Sequence, residues 1–442
     1  MSQTQPEMVF AATGDSFITR RLPAADPGRQ SIRALLERAQ VRFNNFEMTV
    51  HRFEDNPQVF PFAFSGGTWA GAPPQVLEEI RGYGFNLLNW ANNHTMDYSY
   101  GGLAETARHL DEYGFVRAGA GSCLREAAAP AYLDCPAGRV ALVGATSSFH
   151  ESWMAGDSRP DCPGRPGVNF LRCVEKFVLP PRDFEQMKVV ACQTGINLAR
   201  EQMVREGFAL PDPEGEFVFG SHTFVRGEPG QRPGRRTQPH PKDARRILDA
   251  VREGCRRADY VLVSLHSHQM GQGRKDCPDD FLVDFARQCI DAGAHAVIGH
   301  GPHILRGVEV YRERPIFYSL GNFIFQSETV SRLPRDFYEK YGLEGDGYPG
   351  EVLQRRSQNG RVGLAYDPLV WESVIPLWRM EEGRLTELTF TPIQLGFGRP
   401  EYAMGWPQLA EDGAALHHLA RLSEPFGTSI QVEGLTARWV RE

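Results

Sequence analysis

The stretch AVIGHGPHI, residues 296–304, decides how this chain is read. A short apolar run ends at Gly299, and His300 and His303 follow with Gly301 and Pro302 between them. An apolar run of this length bounded by turn residues reads as a buried strand. Glycine gives the turn backbone freedom and proline stiffens it. Two imidazoles on a stiff turn at the C-terminal end of a strand stand where layered α/β proteins bind ligands.

The same arrangement recurs elsewhere. MVFAATGD (8–15) is a strand ending at Asp15, and VRFNNFEM (41–48) one with Asn45 and Glu47 at its end. FNLLNWANNH (85–94) runs from a strand into Asn92, Asn93 and His94, with Asp97 just beyond. DYVLVSLH (259–266) ends at His266, followed by His268. Strand ends that gather carboxylate, amide and imidazole groups without sulfur make a donor set for Mn²⁺, Zn²⁺ or Fe. The remaining histidines, at 51, 109, 150, 222, 240, 295, 417 and 418, read as structural or surface residues.

Helical patterns at 31–40, 73–84, 100–114, 243–258 and 279–293 alternate with these strands and with GRVALVGAT (138–146). Alternating units of this kind predict an α/β layered fold. The segment 156–241 breaks the alternation: it is rich in Pro, Gly and Arg and reads as long loops around a helical piece at 182–206. It is expected to be an insertion or lid-like segment that divides one domain into halves, 1–155 and 242–396. Residues 397–442 are expected to form a C-terminal helix and tail.

Composition bounds the partners. A chain of 442 residues with 41% hydrophobic and 23% charged residues is of ordinary globular make-up. A formal charge of −7 argues against nucleic acid as a partner. The 8 cysteines form no C-x-x-C pair and read as reduced, mostly buried thiols of a cytoplasmic protein. The N-terminus lacks the pattern of a signal peptide, and no apolar run approaches the roughly 18 residues that cross a bilayer.

The motifs GD (14–15), NFE (45–47), NNHTMD (92–97), GHGPH (299–303) and PIFYSLGNFIF (315–325) resemble the CapA/PgsA-like family, a branch of the calcineurin-like metallophosphatase superfamily. The resemblance covers roughly 8–150 and 258–330. It implies a four-layer α/β/β/α sandwich with a metal site at the strand ends. The superfamily's usual two-metal pattern is altered in three places here. Ser16 and Phe17 follow Asp15 where a histidine is expected two residues on; Glu47 stands at the bridging position; and the terminal turn spaces His300 and His303 by three. By this resemblance one metal site is nearly whole, made of Glu47, Asn93, His266 and His300, and the second is weak or absent, reduced to Asp15 and His303. Which of His300 and His303 ligates stays open.

One divalent ion can polarise a carbonyl or carboxylate oxygen, with Asp15, His94 or His303 as acid/base groups. Asn45, Asn92, Asp97 and His268 are further pocket candidates. The expected partner is a peptide or amino-acid-type substrate, with neither nucleic acid nor membrane. The reading put first is a metal-dependent enzyme acting at a peptide carbonyl, most concretely by Cα epimerisation. A metallohydrolase of a phosphoester or amide, linked by the resemblance to poly-γ-glutamate, comes second, and a non-catalytic binding protein on the same fold third. The arginines of the insertion (Arg226, Arg232, Arg235, Arg236) read either as a wall for a peptide carboxylate or as a solvated basic loop.

Overall fold

In the computed structural model, residues 5–22, 26–344 and 347–441 are described. The strand Met8–Phe17 shows how the architecture arises. Side chains alternate across a strand, and here Met8, Phe10 and Ala12 enter one apolar layer while Val9 and Ala11 pack into another. Strand Tyr260–His266 does the same, with Tyr260 and Leu262 inward and Val261, Val263 and Leu265 outward. Both faces are apolar, so both must be covered.

Met8–Phe17 lies in a ten-stranded sheet and Tyr260–His266 in a six-stranded one. The inward residues of the two form a shared layer, in which Phe10 stacks on Trp378 at 5.2 Å and meets Tyr260 edge-on at 5.4 Å. The outer face of the larger sheet is covered by residues of helices Pro27–Leu36, Leu77–Gly82 and Ser99–Glu112. Helices Pro241–Arg257 and Asp280–Asp291 cover the outer face of the smaller.

Parallel pairing brings the polar strand ends together. In the larger sheet Met8–Phe17 pairs with Val41–Phe46, which pairs with Leu87–Asn89, setting Asp15 beside Asn45 and Asn45 beside Asn89. In the smaller sheet Tyr260–His266 pairs with Ala296–His300 and sets His266 beside His300. At Asp15 the pairing register shifts on both sides. There Gly14 lies so close to the backbone of Gly321 that a Cβ would fall 1.9 Å from its carbonyl oxygen, so no other residue fits.

Several elements differ from the sequence expectation. The helix expected at 31–40 runs Pro27–Leu36, because the Asp26 side chain caps the Arg29 amide at 2.9 Å and Pro27 opens the first turn. Within 85–94, expected as a strand running into a loop, the strand is Leu87–Asn89, and the Asn-rich run that follows turns on its own side chains. The loops expected in 156–241 contain a four-stranded sheet, ordered Glu216–Phe219, His222–Arg226, Cys173–Leu179 and Gly234–Pro239, beside helices Pro181–Thr194 and Leu198–Arg205. Near the C-terminus, the hairpin Ile430–Glu433/Thr436–Trp439 joins the larger sheet through Arg384–Gln394. The cysteines are free, as expected, but only Cys289 is buried; Cys162, Cys192 and Cys255 are exposed.

Candidate metal centre

The floor of the site is a group of buried side chains, with His268 half-buried at its edge. Asp15 Oδ1 accepts from Asn45 Nδ2 at 2.8 Å, and Asp15 Oδ2 accepts from the Gly301 amide at 3.1 Å. Asn45 is itself held by Asn89, whose Nδ2 donates to Asn45 Oδ1 at 2.7 Å. His266 stands at the centre. Its Nδ1 is 3.0 Å from His300 Nδ1 and 4.0 Å from Asp15 Oδ1, while its Nε2 is 3.2 Å from His268 Nε2 and 3.6 Å from Glu47 Oε1. One ring therefore faces two donor groups: Asp15 with His300, and Glu47 with His268 and His303.

The turn of 300–303 gives its two histidines different settings. His300 ends the strand, and its Nε2 meets Ser264 Oγ at 2.6 Å. His303 has a left-handed backbone, with φ of 61°, reached through Gly301 at 118°. Asn322 Nδ2 donates to the carbonyls of His303 and Val370, so Asn322 Oδ1 is left to accept from His303 Nδ1 at 2.9 Å. That bond places the proton on Nδ1 and leaves Nε2 of the neutral ring as a lone pair.

The other strand-end residues divide by role. His94 Nδ1 is 2.7 Å from Asp97 Oδ2, and Asp97 also accepts from the amides of Gly66 at 3.0 Å and Ala70 at 2.7 Å. Asn93 Nδ2 donates to the Gly66 carbonyl at 3.1 Å. Asn92 is occupied with backbone: it donates to the Phe46 carbonyl at 2.8 Å and accepts from the His94 amide at 3.1 Å, so it holds the turn. The loop that carries His268 is fastened from below by Arg306. This fully buried guanidinium donates to the carbonyl oxygens of Gln269 at 2.9 Å, Lys275 at 3.0 Å and Ser267 at 3.4 Å.

Burial sets the electrostatics. It pushes Asp15 up to about 7 and raises Glu47 well above the carboxylate range, Glu47 further through its proximity to Asp15 and Asp97. Burial likewise pushes His300 and His303 down to about 3 and lowers His266 and His268 strongly. The floor thus joins imidazoles that resist protonation to carboxyls that resist ionisation. Both oxygens of Glu47 and Oδ1 of Asn93 are buried with no hydrogen-bond partner among the described residues. Unpartnered buried acceptors and facing imidazole nitrogens are costly unless a cation lies among them. The residues present therefore fit a divalent ion, which when bound would supply a Lewis acid for a substrate oxygen.

Beside this floor opens a cavity of about 230 Å³ lined by His94, His303, Phe17, Phe325, Arg356 and Tyr366 among others. Its far wall comes from 327–328 and 356–366, and no residue of 156–241 lines it. Two of the insertion's arginines are engaged elsewhere: Arg235 pairs with Glu175 and, at 2.6 Å, with Asp279, and Arg236 donates to the Arg235 carbonyl at 3.2 Å.

The sequence reading did not single out Asn89, Ser264, Asn322 or Arg356. Ser264 carried a usable signal, a polar residue two positions before His266 and so on its face of an apolar strand. Asn322 lies inside PIFYSLGNFIF, a stretch that carries the family resemblance.

Residues 9–327 match the profile of the family described as bacterial capsule synthesis protein PGA_cap, and the chain belongs to that family. It is 34% identical over 442 residues to the uncharacterized protein y4sH of Sinorhizobium fredii (strain NBRC 101917 / NGR234), covering 96% of this chain and 91% of that one. It is 22% identical over 276 residues to the capsule biosynthesis protein CapA of Bacillus anthracis, covering 62% of this chain and 48% of CapA. A probable polyglutamine synthesis accessory protein of Mycobacterium tuberculosis (strain CDC 1551 / Oshkosh) is 28% identical over 244 residues, 54% of this chain and 45% of that one. Among the described residues no helix is long and apolar enough to cross a membrane.

Proposed function

We propose that this protein is a metal-dependent enzyme that moves a proton at a carbonyl of a peptide- or amino-acid-type substrate, with Cα epimerisation the reaction that best suits the site. The observation that carries this reading is that two imidazoles, His94 and His303, line one cavity, each with Nδ1 already tied, to Asp97 and to Asn322. The free Nε2 of each ring is then available to the cavity, one to remove a proton and the other to return it. Asp97 orients His94, as a carboxylate behind a catalytic imidazole does. Asp15, Glu47, His266, His268 and His300, with Asn93, would hold Mn²⁺, Zn²⁺ or Fe. The relatives named for capsule and polyglutamine synthesis support a substrate of amide-linked amino acids. We read the paired sheets and flanking helices as a four-layer sandwich of the metallophosphatase type, interrupted by 156–241 and completed by 397–442.

The second reading, a metallohydrolase, has its own support. The floor offers two groups of three donors rather than one, and two ions can clamp an attacking and a leaving oxygen. Incubating the metal-loaded protein in D₂O with capped peptides separates the two. Epimerisation adds one deuterium at a single Cα without cleavage. Fragments, or release of phosphate from an aryl phosphate, would instead support hydrolysis. Neither product, from protein with verified metal content, would overturn both.

A further inference from the structure

A second cavity, of about 290 Å³, adjoins the first. The two share Phe325, Ser327, Glu328, Ala365 and Tyr366. A row of aromatic rings leads from the metal centre into it: His303 to Phe325 at 5.5 Å, Phe325 to Trp371 at 5.6 Å, and Trp371 to Phe397 at 6.2 Å. Phe325 and Trp371 are buried, whereas Phe397 is 48% exposed at the outer end.

Gln326 brings a polar side chain into the wall of this chamber. Gln326 is only 3% exposed, and its Oε1 accepts from the amides of Thr19 at 2.9 Å and Arg20 at 3.2 Å. Those two bonds fix which way the side-chain amide points. Its Nε2 is left buried with no acceptor among the described residues. A buried donor in an apolar cavity asks for an acceptor on whatever enters.

We propose that this chamber is a side-chain subsite. It takes an aliphatic or aromatic side chain of the residue next to the reacting one, while a peptide carbonyl oxygen of the same substrate accepts from Gln326 Nε2. This rests on the reading that the adjoining cavity binds a peptide. The walls are wrong for an anionic side chain. They carry the rings of Phe325, Tyr366, Trp371 and Phe397, and the Glu328 carboxylate at the shared edge already holds Arg356 at 2.8 Å, which leaves that cation paired. The two cations in its wall are engaged, Arg20 donating to the Met404 carbonyl at 2.6 Å and Arg399 to Gln408 Oε1 at 2.9 Å. A substrate of the polyglutamate kind would leave this chamber badly matched.

The test is calorimetric titration of the full, metal-loaded chain with acetyl-Ala-Phe-Ala-amide, acetyl-Ala-Leu-Ala-amide and acetyl-Ala-Glu-Ala-amide. The Phe and Leu peptides are expected to bind about tenfold or more tightly than the Glu peptide. Phe397→Ala, at an exposed position, should reduce that preference several-fold. Gln326→Glu keeps the oxygen that serves Thr19 and Arg20 and should weaken the Phe and Leu peptides alike. Equal or tighter binding of the Glu peptide, no binding of any peptide, or a preference unchanged by Phe397→Ala would overturn the subsite. Binding with the expected preference but without deuterium uptake or cleavage would leave the subsite standing and sink the proposed reaction. Turnover without preference would do the reverse.

Discussion

Two sheets in this chain are held in different ways. Strand Tyr260–His266 is buried at every position, between apolar layers on both faces. In strand Cys173–Leu179 of the inserted sheet only Val178 is buried, and ion pairs such as Lys176–Glu216 and Arg235–Glu175 join it to its surroundings. Ion pairs at a surface contribute about 0–1 kcal/mol each, whereas each fully buried aliphatic side chain contributes about 1.5–3 kcal/mol. The first sheet therefore fixes the polar groups at its strand ends. The second, with fewer buried side chains, is expected to loosen before the first.

The comparison can be broken or sharpened by substitution. The largest effect is expected from Glu47→Ala, which removes the two unpartnered oxygens at the floor. Metal per chain, measured by mass spectrometry after loading and dialysis, should fall sharply and turnover should disappear; full metal retention would break the view of the floor as a metal centre. His94→Ala should lower turnover about 10²–10⁴-fold with metal content unchanged, and a parallel loss of metal would show His94 to be part of the floor.

Trp378→Ala, in the layer shared by the two large sheets, should cost about 3–5 kcal/mol in denaturant unfolding. Val178→Ala should cost about 1–2 kcal/mol, seen as faster hydrogen exchange within 173–239. If both substitutions cost the same and both released metal, the inserted sheet would be no separate module.

The last effect is a pH dependence of a few degrees in Tm. Burial raises Asp15 from 3.8 to about 7, so its contribution to stability is fully present below 3.8 and is lost as pH rises through 7. Burial lowers His300 from 6.5 to about 3, so its contribution is present above 6.5 and is lost as pH falls toward 3. A bound dication removes the first loss by stabilising the ionised carboxylate. Melting curves with and without chelator should therefore differ most at pH 7–8; a difference that grew toward pH 5 would contradict the assignment.

Much of this centre was legible because its residues end strands, and a strand announces itself by an apolar run that stops at a polar residue. Asp15, Glu47, His266 and His300 were readable on that ground. Their grouping was not. That His266 faces Asp15 on one side and Glu47 with His268 on the other depends on two sheets packing face to face, which no local pattern encodes. The inserted sheet was hidden because Pro and Gly at 156–241 carry the signature of loops, and its half-buried strands lack a strong alternation. The cavity wall at 356–366 and the unpartnered amide of Gln326 depend on contacts distant in sequence and left no trace that periodicity could find.

The clamp formed by Arg306 has a consequence beyond geometry. Burial pushes this guanidinium down to about 10, so it keeps its charge at neutral pH. It stands under the loop that carries His268, and after burial and the neighbouring imidazoles of His303 and His94 it is the next influence opposing a proton on that ring. A fixed positive charge therefore adds to burial in holding His268 in its neutral, lone-pair form. It also gives the floor a standing positive field, which favours an anionic oxygen over a neutral one.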